Sequence, residues 1–223
     1  MTVKLFIQAI IRFLAGIVLM GALLFVPAGT AEYPQAWLLM GILFIPMFLA
    51  GLIMMVKNPE LLKKRLNANE QESEQKMVIL FSGLMFVGAF IAAGLSFRYQ
   101  FLLLPFWVSI TGTVLFLLAY ALWGEVMREN TFLSRTVEVQ EGQKVIDTGL
   151  YGIVRHPMYA AAILLFVSMG LVLGSLISFV ILLGCIPILA KRIRNEEMVL
   201  EEGLPGYREY KNRVKYRLIP FVW

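Results

Sequence analysis

What most limits the fold of this chain is a succession of apolar runs, each long enough to cross a bilayer. They are Leu5 to Val26 (interrupted only by Gln8 and Arg12), Ala36 to Val56, Met77 to Phe97, Phe101 to Trp123, and Met158 to Ala190. A hydrocarbon core of about 30 Å needs about 20 helical residues at a rise of 1.5 Å. Charged residues make up 16% of the chain, against about 25% in soluble domains, and the mean hydropathy is +0.76. A soluble globule with an appended anchor is excluded. The expectation is an all-α, multi-pass integral membrane helical bundle of five to six hydrophobic segments, built as a single membrane domain over residues 1–223.

The last run would be roughly 50 Å long as one helix, so a break is expected at Gly174-Ser175, leaving a helical hairpin. Gly170 and Gly174 also form a GxxxG pattern that permits close helix approach, although the glycines equally suit a turn. The short Arg98-Tyr99-Gln100 connection predicts that the third and fourth runs are antiparallel neighbours. Residues 57–76 form a polar linker of mixed charge, read as a solvated loop or a surface helix supported by i,i+4 pairs. Within the polar stretch 124–157, Thr136 to Val139 and Lys144 to Ile146 alternate around Glu141-Gly142, which predicts a short β-like loop. A C-terminal cytoplasmic helix is expected after Lys191.

If the N-terminus is cytoplasmic, all of the 20 basic residues except Arg12 and Arg98 fall on the cytoplasmic side, as the positive-inside rule requires. Both termini and the candidate chemistry then face the cytoplasm. The net charge of +5 is topological, and no nucleic-acid partner is needed to explain it. One cysteine and one histidine exclude a zinc or iron–sulfur cluster from this chain alone, so no metal is expected. The nucleotide-binding and hydrolase motifs GxGxxG, GxxxxGK[ST] and GxSxG are absent.

Two stretches carry chemistry. In the first, Gly149 to Tyr159, proline drives the residue before it to an extended conformation and favours the first helical position, so a helix should start at Pro157 directly after His156. Its free N–H groups would favour an anionic group; alternatively, Arg155, His156 and Tyr159 only anchor a helix end at the interface. In the second, Lys191 to Leu200, helical spacing puts Ile193, Glu196, Glu197 and Leu200 on one face. The glutamates either reach a ribose, ammonium or sulfonium-bearing ligand, or pair with Arg192 and Arg194.

The ordered set RHPMY at 155–159, preceded by Gly149 and Tyr151 and followed by Glu196-Glu197 with Leu200, Tyr207 and Tyr210, resembles the isoprenylcysteine carboxyl methyltransferase family. That family takes in related bacterial and phospholipid methyltransferases. The resemblance covers about the last 100 residues, Gly124 to Pro220, and marks residues 124–223 as a catalytic half following four N-terminal spans in 1–123. It implies S-adenosylmethionine as methyl donor, bound on the cytoplasmic side by Gly149, Tyr151, Arg155, His156, Pro157, Tyr159, Glu196 and Glu197. By the same resemblance Arg128 and Arg192 or Arg194 hold a carboxylate substrate. Ala161, where a glycine often stands, and LPGY at 204–207 depart from the family's pattern and bear on the substrate.

Methyl transfer from a sulfonium mainly requires that nucleophile and carbon be held in line and water excluded. A carboxylate with a pKa of about 3.5 is already ionised and needs only a cationic clamp. An amine, as in a phospholipid headgroup, would need Glu196, Glu197 or His156 as a base. The arginines favour an acidic acceptor with a lipid tail, such as a prenylated cysteine. The tail Tyr207-Arg208-Glu209-Tyr210 to Tyr216-Arg217-Leu218-Ile219-Pro220 also resembles sterol reductases, so an NADPH-dependent membrane reductase is the alternative. A transporter or scaffold finds no support, since neither a midspan acidic pair nor an inverted repeat is present.

Overall fold

The computed structural model describes residues 3–57, 62, 73–133, 137 and 139–223, and these form an all-helical bundle with no strand among them. The first four helices are α1 (Val3–Ala28), α2 (Pro34–Lys57), α3 (Ser73–Tyr99) and α4 (Phe106–Glu129). A 3-10 turn at Gly149–Gly152 leads into α5 (Pro157–Val172), α6 (Leu176–Leu182), α7 (Cys185–Gly203) and α8 (Tyr207–Arg213). Five segments are long and apolar enough to cross a membrane: α1 to α4, and the path Leu176–Gly203 that joins α6 to α7. The chain is a multi-pass membrane protein. Its core runs between the helices through Leu24, Tyr33, Leu39, Phe116, Leu165 and Leu182, while Val18, Val56, Leu84 and Val114 lie exposed on helix faces where a bilayer supplies the apolar solvent.

The long apolar run breaks where its sequence predicts. Gly174 takes a φ of 65°, a left-handed conformation that glycine adopts without steric cost, and Ser175 caps α6 by accepting from the Ser178 N–H at 3.2 Å. Gly170 serves the other reading of the GxxxG pattern. A β-carbon there would stand 2.5 Å from Cα of Phe179, so α5 and α6 touch backbone to backbone. Replacing Gly170 by valine should force the hairpin open and cost about 1–3 kcal/mol, the usual penalty for overpacking. Unfolding followed by far-ultraviolet dichroism in detergent checks this, and an unchanged midpoint would refute it.

The antiparallel α3–α4 pair expected from their short connection does not form. Instead α3 packs on α1, α6 and α7, and α4 packs on α5. The cause is the connection itself, which wraps the hairpin tip: Leu104 N–H donates to Gly174 O at 2.8 Å and Leu176 N–H to Leu102 O at 3.1 Å. Tyr33, fully buried, donates its hydroxyl to Leu173 O at 2.6 Å, and Ser175 donates to Ser96 at 3.0 Å. The hairpin is thereby wedged between the two helices and pinned at its far end.

The expected β-like loop falls partly outside the described residues. Thr136 and Glu138 lie outside the described residues; the Glu141-Gly142 turn forms, closed by Gln143 N–H to Gln140 O at 3.0 Å, and Lys144 to Ile146 pair with no strand among the described residues. Val139 and Val145 pack on Leu204, Tyr207 and Tyr210 instead. Most of the 57–76 linker, with its possible surface helix, lies outside the described residues.

Candidate functional site

Pro157 stands at the first position of α5, with His156 as the residue before the helix. The backbone there is held by the tail: Arg155 N–H donates to Tyr216 O and His156 N–H to Arg217 O, both at 2.9 Å. This pairing brings residues some 60 positions apart in sequence onto one surface beside the start of α5.

Glu197 ties the arrangement together. It is 2% exposed and accepts from Arg155 Nε at 2.8 Å, lies 3.3 Å from His156 Nε2, and accepts from Arg217 Nε at 3.0 Å and its terminal nitrogen at 2.9 Å. Arg155, also buried, completes its fork by donating to Val214 O at 2.7 Å and Lys215 O at 2.8 Å. Arg217 in turn lies over the Trp223 ring, 5.3 Å from its centre. Charges out of water are tolerated when paired and fully hydrogen-bonded, and this cluster meets that condition.

A cavity of about 90 Å³ opens beside the cluster, with Asn130, Leu133, Tyr151, His156, Tyr159 and Arg192 in its wall. Lys144, Arg155, Glu196 and Tyr207 add to its polar lining, and Val137, Val145, Ile146 and Met158 lie on its apolar side. Tyr159 donates to Glu196 and accepts from Arg192 Nε at 3.0 Å, which fixes an acid, a phenol and a cation in one row. Asn130 donates to the Tyr151 hydroxyl at 3.1 Å, and Tyr210 donates to Tyr151 O at 2.8 Å.

The predicted residues therefore separate. Tyr151, Arg155, His156, Tyr159, Glu196 and Arg192 meet at the cavity. Glu197 faces Arg155 and Arg217 instead, since neighbouring residues on a helix point about 100° apart. Arg128 is largely exposed and pairs with Glu125 at 2.5 Å, and Arg194 is exposed; neither reaches the cavity wall. Gly149 and Pro157 shape the backbone around it. Gly149 has a φ of 55°, and a β-carbon there would collide with the Glu129 carboxylate, which accepts the Leu150 N–H at 3.0 Å. Asn130, Glu129 and the clamping role of Arg217 were missed by sequence reasoning. Asn130 carries an available signal as the polar residue that ends α4.

The wall offers an acceptor in Glu196, a donor in Asn130 and an apolar side, and the Tyr207 hydroxyl is buried with no hydrogen-bond partner among the described residues.

The chain is similar to known proteins in sequence and in fold. The isoprenylcysteine carboxyl methyltransferase (ICMT) family matches residues 108–202. The structure superposes on the eukaryotic intramembrane Ras methyltransferase ICMT with a TM-score of 0.58, at 17% identity, over 92% of this chain and 74% of that one. Residues of this chain are also 29% identical over 91 positions to Delta(14)-sterol reductase TM7SF2 of Mus musculus, covering 40% of this chain and 22% of that protein. The chain thus spans only about a fifth of that relative's length. Over residues 108–202 the chain carries the sequence pattern of the isoprenylcysteine carboxyl methyltransferase family, and over nearly its whole length it is similar in fold to an intramembrane methyltransferase.

Proposed function

We propose that the protein transfers a methyl group from S-adenosylmethionine to the carboxylate of a lipophilic acceptor, such as a prenylated cysteine, at the cytoplasmic face of its membrane. The observation that carries the reading is the row Glu196–Tyr159–Arg192 in the wall of a cavity that begins at the Pro157 helix start. S-adenosylmethionine, when bound, supplies a methyl carbon on a sulfonium whose displacement leaves a neutral thioether. Glu196, Asn130, Tyr151 and His156, which line the cavity, would hold it. Arg192 holds the acceptor carboxylate, and Leu133, Val137 and Val145 keep water out.

A carboxylate acceptor fits better than a phospholipid amine. An amine must first lose a proton, and the candidate bases are engaged: Glu197 by Arg155 and Arg217, His156 beside Glu197, and Glu196 by Tyr159. The sterol reductase similarity supports a second reading, an NADPH-dependent reductase, with Arg192 and Lys144 in the cavity wall as the cations that would face a phosphate.

Calorimetric titration of the detergent-purified protein with S-adenosylmethionine, S-adenosylhomocysteine and NADPH separates the readings. Saturable binding of the adenosyl ligands, weakened at least tenfold in His156→Ala, a change of about 1.4 kcal/mol, is the expected result. Binding of NADPH alone would transfer the assignment to the reductase.

A further inference from the structure

The Tyr207 hydroxyl is an unexplained cost in the folded protein. Its residue is 4% exposed, its oxygen is buried without a partner among the described residues, and its side chain lines the cavity. Its neighbour on α8, Tyr210, is equally buried, yet donates to Tyr151 O at 2.8 Å. The two phenols share a short helix and contact each other's rings at 5.7 Å, so the helix is able to satisfy a buried tyrosine and does so for one only. Burial, with the charges of Glu197 and Glu196 near it, pushes the Tyr207 phenol well above its ordinary pKa, so it remains a neutral group with a proton to donate.

A buried polar group left unpaired costs about 1–3 kcal/mol, and such a cost persists where function uses it. We propose that Tyr207 is a ligand-binding residue: its hydroxyl donates a hydrogen bond to a polar atom of the adenosyl ligand that enters the cavity. The inference rests on the function proposed above. Because Glu196 and Glu197 lie close, the acceptor is an uncharged oxygen or nitrogen rather than a carboxylate.

The test compares Tyr207→Phe and Tyr210→Phe, in intact protein, by thermal unfolding without ligand and by calorimetric titration with S-adenosylhomocysteine. Tyr207→Phe is expected to leave the unfolding midpoint unchanged or raise it, while weakening S-adenosylhomocysteine binding about three- to tenfold, the range of a neutral hydrogen bond. Tyr210→Phe is expected to lower the midpoint, because it strips Tyr151 O of its donor. If the parent binds S-adenosylhomocysteine and Tyr207→Phe binds it equally well, the role of Tyr207 is overturned and the methyltransferase reading stands. If Tyr207→Phe lowers the midpoint as Tyr210→Phe does, the hydroxyl is structural and the inference falls. If the parent binds no adenosyl ligand, both readings fall.

Discussion

Glu197→Ala should lose about 3–5 kcal/mol of stability, the cost of stripping one partner from a buried ion pair. The carboxylate is the common acceptor for Arg155 and Arg217 and sits beside His156, and its loss leaves Arg155, 6% exposed, with its charge unanswered. The damage then spreads along the chain. Arg155 also holds the carbonyls of Val214 and Lys215, so a loosened guanidinium frees the tail that pairs with His156. Unfolding midpoints in detergent measure the loss, and a cycle with Arg217→Ala should show strong coupling, the double variant costing less than the sum of the single ones. A midpoint unchanged from the parent would contradict this account, and additive losses would show that Glu197 and Arg217 act separately.

Arg192→Ala should lower kcat/KM for a lipid carboxylate by about a hundredfold or more, on the scale of 2–5 kcal/mol for removing one member of a desolvated charge pair. Arg128→Ala and Arg194→Ala should stay close to the parent, since the first is tied to Glu125 in water and the second is exposed. Arg192→Lys should recover only part of the loss, because an ammonium lacks the planar fork that grips a carboxylate. The increase should fall mainly on the acceptor's KM. Equal losses in all three alanine variants would remove Arg192 from its role, as would a loss confined to S-adenosylhomocysteine affinity.

The motif residues that meet at the cavity were legible because their chemistry is local: Pro157 sets the helix start beside His156, and helical spacing groups Glu196 with Ile193 and Leu200. What spacing could not decide was which glutamate faces the cavity. That depends on the tail, whose Arg217 arrives from 20 residues further along and takes Glu197 for itself. The arginines divided for a similar reason. Arg128, Arg192 and Arg194 are equivalent as charges in a sequence, and only the packing of α4 and α7 leaves Arg192 next to Tyr159. The spans were plain from hydropathy, but their neighbours were not. A short connection suggested that α3 and α4 should pair, and the hydrogen bonds of Leu102 and Leu104 to the hairpin tip decided otherwise.

The brevity of α5 has a consequence for the acceptor. Its 16 residues rise about 24 Å, short of a hydrocarbon core of about 30 Å, and its far end is fixed by Tyr33, Leu102 and Leu104. The mismatch must be met at the end that carries His156, by local thinning of the bilayer or by a reaction centre set below the headgroups. Under the proposed function, a lipid's reacting group would in both cases meet Arg192 without dragging its first methylenes into water, and each methylene left in hydrocarbon avoids about 0.8 kcal/mol. Hydrophobic thickness therefore becomes a variable of catalysis: reconstitution into thicker bilayers should raise the acceptor's KM, and thinner ones should lower it.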